Sequence, residues 1–372
     1  MDFDYSDEQQ LLRESVARFV REEYAFAARK QLIASGQAFS AAHWSLFAEL
    51  GWLAVPLPES CGGLGGSAVD AAIVLEEFGR GLVLEPWIPT LVLGAGAIAA
   101  LGSPAQQEAL LPRVIGGELQ LALAHSETAA RYDHASVSTR AAPTPTGWQL
   151  DGEKCVVLNA PAADVLLVSA REPSGTTGVF LVEPAATGLG MRAYRNVDGT
   201  VAAELRLTAV RLDADARLGD ADALPALAAL HDRAALMVCA EAVGAMAVLL
   251  QKTVDYTKTR RQFGTAISSF QALQHRMADM FIEVEQARSI LLMALLTADE
   301  GGEAQGAISA AKSRIGRAAR KVGQEAIQLH GGIGVTEDLD VGHYVKRLLV
   351  IEALFGNSDW HLRRFAEAQD AA

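Results

Sequence analysis

The chain is short of aromatics, cysteine and positive charge, and each shortage excludes something. Phe, Trp and Tyr make up 6% of its 372 residues, while half are hydrophobic with Ala, Leu and Gly prominent. That balance fits a mostly helical globular protein rather than a β-rich or disordered chain. The three cysteines, Cys61, Cys155 and Cys239, are an odd number without CxxC spacing, so neither a disulfide framework nor a thiolate zinc site is expected, and a reducing compartment fits. Lys and Arg number 32 against 45 Asp and Glu, a net charge of -13, which opposes contact with phosphate backbones and sets nucleic acid aside as a partner. The acidic start, Met1-Asp2-Phe3-Asp4-Tyr5-Ser6, has no basic stretch followed by an apolar run, so no targeting segment is expected and the cytoplasm is the expected location.

Chemistry-bearing motifs are scarce too. The histidines at 43, 125, 134, 231, 275, 330, 343 and 361 form no HExxH and have no ligand spacing, so no metal site is expected. No G-x-S-x-G elbow marks a hydrolase. Of two glycine clusters, Gly62-Gly63-Leu64-Gly65-Gly66 lacks a preceding strand and a GK[ST] and is expected to be a flexible loop before a helix. The other, Gly331-Gly332-Ile333-Gly334, ends a long helical stretch, where its glycines either cap the helix or offer bare amides to a ligand.

What is present divides the chain into three, as its length requires of more than one core. Ser6 and Gln9 form a capping box ahead of apolar positions at helical spacing, a second helix is expected from Ser40 to Leu50, and a third from Ala68 to Phe78, stopped by Gly79. Residues 1–118 form an N-terminal helical domain on this pattern. Short apolar runs then follow at Leu119–His125, Trp148–Asn159, Val165–Ala170, Val179–Val182 and Ala203–Thr208, punctuated by turn formers such as Pro143-Thr144-Pro145-Thr146-Gly147, so residues 119–225 are expected to form a middle β domain. Long helical stretches, Ala226–Arg260, Phe270–Asp299 and Ala304–His330, with one or two more in Gly342–Ala368, predict a C-terminal bundle over 226–372. The apolar run Ala234–Leu250 is broken by Glu241 and is expected to be a buried bundle helix, not a membrane span. Burial makes Glu241 a candidate general base, with a structural partner such as an arginine as the alternative.

The stretch Tyr256-Thr257-Lys258-Thr259-Arg260-Arg261-Gln262-Phe263-Gly264, continued by Ile267, Phe270-Gln271, Gln274 and Ala278-Asp279-Met280, resembles the C-terminal-domain signature of the acyl-CoA dehydrogenase family. Gln328-Leu329-His330-Gly331-Gly332-Ile333-Gly334 resembles its second signature, and Asp151-Gly152-Glu153-Lys154 and the segment Leu119 to Glu127 match the family layout. The resemblance implies a mainly α fold with a central β-barrel or sandwich domain and a C-terminal four-helix bundle. It also implies FAD, an acyl-CoA substrate and electron transfer to an electron-transferring flavoprotein. Arg260 matches the arginine that reaches a neighbouring subunit's FAD pyrophosphate, a role suited to its fixed cationic fork. Phe263, Gln271, Gln328, Gly331 and Gly332 match positions around the rest of the nucleotide, and Ser126 matches a flavin-contacting hydroxyl.

The departures from the family pattern concern catalysis. Its catalytic Glu is matched by Phe355, and the alternative base position by Ala234, neither of which takes a proton. The Glu-Pro-Gly-Ala-Gly-Ser-Asp segment is matched by Glu127-Thr128-Ala129-Ala130-Arg131-Tyr132-Asp133, and a flavin-packing Trp and its companion Thr by Val156 and Leu158. The chain is thus similar to the small subunits of heteromeric members of the family, such as that of pimeloyl-CoA dehydrogenase, which pair with a catalytic large subunit on dicarboxylic or steroid side-chain CoA thioesters. This implies an FAD-associated subunit of an α,β-dehydrogenase, its own catalytic residue unknown. The alternatives are a self-sufficient homo-oligomer with Glu241, Asp232 or Glu352 as a displaced base, and a silent structural subunit.

Overall fold

A computed structural model of the protein describes residues 5–301 and 304–370; Met1–Asp4, on which the targeting expectation rests in part, lie outside the described residues. Capping chemistry starts the first helix: Gln9 N–H donates to Ser6 Oγ (3.2 Å) and Ser6 N–H to Gln9 Oε1 (3.1 Å), opening α1 (Asp7–Glu23). Next come α2 (Phe26–Ala34) and α3 (Ala41–Glu49), the latter capped by Ser40. They are followed by α4 (Ala68–Gly81), a π-helical turn (Ile88–Ala95) running on into α5 (Gly96–Leu101), and α6 (Pro104–Ile115).

Two sequence expectations in this region are corrected. Gly79 does not stop α4, which runs on to Gly81 and is capped by Leu82 at φ 55°. The glycine serves packing, because a Cβ there would lie 2.0 Å from the Glu241 carbonyl oxygen, and one on Gly244 would lie 1.9 Å from that of Glu76. Each backbone thus touches the other through a glycine. The Gly62–Gly66 loop is not slack: Gly63, Leu64, Gly65 and Gly66 N–H donate to the carbonyls of Pro58, Ala54, Leu57 and Val55 at 2.8–3.0 Å.

The β domain comprises β1 (Leu121–Ala124), β2 (Arg140–Thr144), β3 (Gly147–Leu158), β4 (Val165–Arg171), β5 (Thr177–Val182), β6 (Leu189–Arg195) and β7 (Val201–Asp213). These form one mixed seven-stranded sheet of order β1-β4-β2-β3-β7-β6, with β5 also on β4. The sheet closes over a core that includes Leu150, Leu166, Phe180 and Leu205. Sequence reading missed β2 and β6. Pro143 lies inside β2, paired with Trp148, and is tolerated because β2 meets β4 only at Arg140–Arg171, so at Pro143 no ladder bond to β4 is forgone.

Beyond the sheet come α7 (Leu224–Thr259), a hairpin of β8 (Arg261–Gln262) and β9 (Thr265–Ala266), α8 (Gln271–Asp299), α9 (Gln305–His330), α10 (Val341–Ala353) and α11 (Ser358–Asp370). The order is the one the resemblance implies: N-terminal helices, a middle β domain, a C-terminal helical bundle. Among the described residues, α7 is the one helix long and apolar enough to cross a membrane, yet 78% of its apolar window is buried within the protein. The chain packs as two units. One holds residues up to Gln31, Ser67–Val83 and everything from Ala235; the other holds Leu32–Gly66 and Leu84–Ala234.

Candidate functional site

In the first unit, the end of α7 is tied to the end of α9. The Tyr256 ring stacks on His330 (centroids 4.4 Å apart, 26° between planes), and its hydroxyl donates to the His330 carbonyl at 3.3 Å. Arg260 follows Tyr256 by one turn, its N–H closing the helix onto the Tyr256 carbonyl at 2.8 Å. Gly331 and Gly332 follow His330 directly. The β8–β9 hairpin turns at Phe263 (φ 52°) and Gly264 (φ 80°), the two positive φ values that a two-residue type I′ turn demands. This holds the Phe263 ring 93% exposed, edge-on to Phe270 at 6.2 Å, beside the start of α8 where Gln271 lies.

Arg260, Phe263, Gln271, Gln328, Gly331 and Gly332 are therefore all exposed residues of one unit, and the ties at Tyr256–His330 and Phe263–Phe270 gather their segments. Gly331 sits at φ 66°, and a Cβ on it or on Gly332 would meet nothing within 4 Å. The Gly331 N–H is spent on the Ile327 carbonyl as the cap of α9, so what the two glycines offer is open space for a close approach to the backbone. An exposed aromatic ring, a guanidinium, two side-chain amides and glycines that admit close approach suit an adenine dinucleotide carrying a diphosphate, so these residues fit FAD. Ser126 lies in the other unit, half-buried, its carbonyl accepting from Cys155 N–H at 2.9 Å.

Two residues of the β domain that matched the family layout turn out to be structural. Lys154 is 1% exposed, and its Nζ donates to Glu127 Oε1 (2.7 Å), Ser169 Oγ (3.0 Å) and the His125 carbonyl (3.2 Å). Glu127 also accepts from Thr139 N–H (3.0 Å) and Oγ1 (2.8 Å) and from Ser138 N–H (2.8 Å). Burial works against the carboxylate, yet Lys154 and these hydroxyl and amide donors hold its pKa down at about 2. With both groups spoken for, neither reaches for a ligand. Just beyond, β3 shifts register between Lys154 and Val157, leaving Val156 at φ 50° and 46% exposed.

Acid–base chemistry finds no carboxylate at the expected places. Ala234 is fully buried, and Phe355 occupies the turn between α10 and α11 at φ 56°. Lys312 Nζ donates to the Gly356 carbonyl (2.7 Å) and His361 Nε2 to the Phe355 carbonyl (2.9 Å), fixing that turn. Glu241 is clamped by Arg347, Nε to Oε1 at 2.5 Å and Nη2 to Oε2 at 2.6 Å, in a buried bidentate pair. Glu352 accepts from Ser358 N–H (3.1 Å) and pairs with Arg320 (3.4 Å). Cys239 is buried, which pushes its thiol up to about 12 and makes it inert.

N-terminal helices, a seven-stranded β domain and a helical bundle with a basic, aromatic-tipped hairpin follow one another along the chain, and the exposed residues of that hairpin and of the α9 end suit a dinucleotide-binding protein. Family models narrow this: those described as the N-terminal, middle and C-terminal domains of acyl-CoA dehydrogenase match residues 6–118, 122–212 and 226–369. The chain belongs to the acyl-CoA dehydrogenase family, which uses FAD. It is similar to the acyl-CoA dehydrogenase IpdE2 of Mycolicibacterium smegmatis, 31% identical over 360 residues that cover 96% of this chain and 98% of that one. Among solved structures it is similar to one of the ChsE4-ChsE5 complex from Mycobacterium tuberculosis (29% identity, TM-score 0.90, all of both chains covered). PigA with FAD and proline is also similar, at 26% identity and TM-score 0.91 over 100% of this chain and 99% of that one.

Proposed function

We propose that the protein is the FAD-associated, base-less subunit of a heteromeric acyl-CoA dehydrogenase. The observation that carries this is the split between two sets of residues. Every position expected to reach a neighbour's nucleotide is present and exposed, whereas the two base positions hold Phe355 and Ala234, and Glu241 and Glu352 are already held by Arg347 and Arg320. The similar ChsE4-ChsE5 complex supports a pair of unlike chains.

In this reading Arg260 meets the diphosphate of FAD, the side chains of Gln271 and Gln328 bind the rest of the nucleotide, Gly331 and Gly332 leave room for it against the backbone, and Phe263 covers it. FAD held there would supply hydride-accepting chemistry toward a CoA thioester, with an electron-transferring flavoprotein as the electron acceptor. The α proton goes to a carboxylate of the large subunit. In this reading the chain supplies binding and orientation. With a net charge of -13, its positive field for anions is local to the Arg260 segment.

The test is coexpression with the large subunit. Arg260→Ala is expected to reduce flavin retained per complex, read from its absorbance, and activity along with it, while leaving the complex assembled. Arg260→Lys restores only part, because the bidentate fork is lost. Acyl-CoA oxidation by this chain alone at an ordinary rate overturns the proposal. Assembly with undiminished flavin in Arg260→Ala marks a silent structural subunit instead.

A further inference from the structure

Three histidines far apart in sequence meet inside the second unit. His125 follows β1, His134 lies in the loop leading to β2, and His231 sits two turns into α7. Their ring centroids are 5.8 Å (His125–His134), 5.1 Å (His125–His231) and 4.0 Å (His134–His231) apart. One nitrogen from each lies within 4.8 Å of the other two. We propose that His125, His134 and His231 form a divalent-metal site of the zinc class, with a fourth position open to water or an anion.

Chemistry and geometry both support it. His231 Nδ1 lies 2.8 Å from the Leu227 carbonyl, which can only accept, so the proton is on Nδ1 and the lone pair on Nε2. His125 Nδ1 lies 2.9 Å from Ser169 Oγ, and the ring also donates to the His134 backbone, a bond that metal binding would replace. A metal-bound imidazole orients itself in this way, one nitrogen on a protein oxygen and the other on the ion. His125 and His231 are 5% and 6% exposed.

A tetrahedral zinc with Zn–N bonds of about 2.0–2.1 Å separates its ligand nitrogens by about 3.4 Å. The rings must close by up to about 1.4 Å, which rotation of His134, carried on a loop, supplies. Three imidazole nitrogens without a thiolate suit zinc, and leave the open coordination position found where zinc binds a further ligand. Bound metal would tie the segment between β1 and β2 to α7.

The experiment uses the untagged full chain, stripped with chelator, dialysed and titrated with Zn²⁺ against a chromophoric indicator. One equivalent is expected to bind, and His134→Ala and His231→Gln are each expected to weaken binding by about 100-fold. Co²⁺ in place of Zn²⁺ is expected to give the visible bands of a four-coordinate site, absent in both variants. No stoichiometric uptake by the native chain overturns the proposal, as does uptake that neither variant reduces. Should His231→Gln fail to fold, His134→Ala decides alone, since it alters only a loop side chain.

Discussion

Removing Arg347 alone exposes what Glu241 does. Glu241 is 3% exposed on α7, and both carboxylate oxygens meet Arg347 at 2.5 and 2.6 Å. Arg347→Leu strands a buried charge, which costs about 3–5 kcal/mol. Removing both charges, in Glu241→Leu with Arg347→Leu, leaves two apolar groups of similar volume and is expected to cost less than about 1 kcal/mol, or to stabilise. The difference, a coupling of several kcal/mol, is read from denaturant unfolding of the three variants at one pH. Glu241→Gln supplies the functional arm. A positioning carboxylate leaves dehydrogenation by the two-chain complex measurable when amidated, whereas a general base does not. The reasoning is refuted if Arg347→Leu unfolds like the native chain, if the double variant is as damaged as the single one, or if Glu241→Gln alone abolishes turnover with stability intact.

His361 supplies a pH test. Burial, reinforced by the charges of Lys312 and Arg364 and opposed by the bond to the Phe355 carbonyl, holds its pKa at about 3. The unfolded value is about 6.5, so this contribution is fully present above pH 6.5 and is lost as pH falls toward 3; between pH 7 and 5 it amounts to about 2 kcal/mol, and His361→Gln should flatten the denaturant-measured pH dependence by that much. Gly79→Ala puts a methyl 2.0 Å from the Glu241 carbonyl oxygen and is expected to lower stability by about 2 kcal/mol or more, seen as a reduced denaturant midpoint. Val156→Asn relieves a β-branched residue at φ 50° and should raise stability by about 1 kcal/mol, read as a higher denaturant midpoint, since Asn tolerates the left-handed region and the site is half-exposed.

The long helices were legible because caps and breakers act locally: Ser6 with Gln9 and the bare run from Ala226 to Arg260 need no partner to declare themselves. Gly79 and Gly244 could not be understood this way. A glycine that ends a helix and one that admits another backbone have the same letter, and only the opposing carbonyls of Glu241 and Glu76, at 2.0 and 1.9 Å from a hypothetical Cβ, tell them apart. Pro143 misled for a related reason, since whether a proline breaks a strand depends on which neighbour its missing N–H would have faced. The histidine cluster had no signal at all: its spacings, nine and ninety-seven residues, mean nothing until β1, a loop and α7 converge.

The candidate nucleotide surface lay between these extremes. Motif matching gathered Arg260, Phe263, Gln271, Gln328, Gly331 and Gly332 but gave no reason for their being together. The structure supplies it through two aromatic ties, Tyr256 on His330 and Phe263 on Phe270. Exposure then becomes informative. A chain that held and used its own cofactor would have reason to keep a carboxylate unpaired near it, yet Lys154 and Arg347 have each taken a buried one, Glu127 and Glu241. Burying an ion pair contributes little net stability but penalises the loss of either partner heavily. Such a framework keeps its fold with Phe355 and Ala234 at the positions matched to a base, and in the proposed reading the exposed Arg260 edge is what meets a second chain.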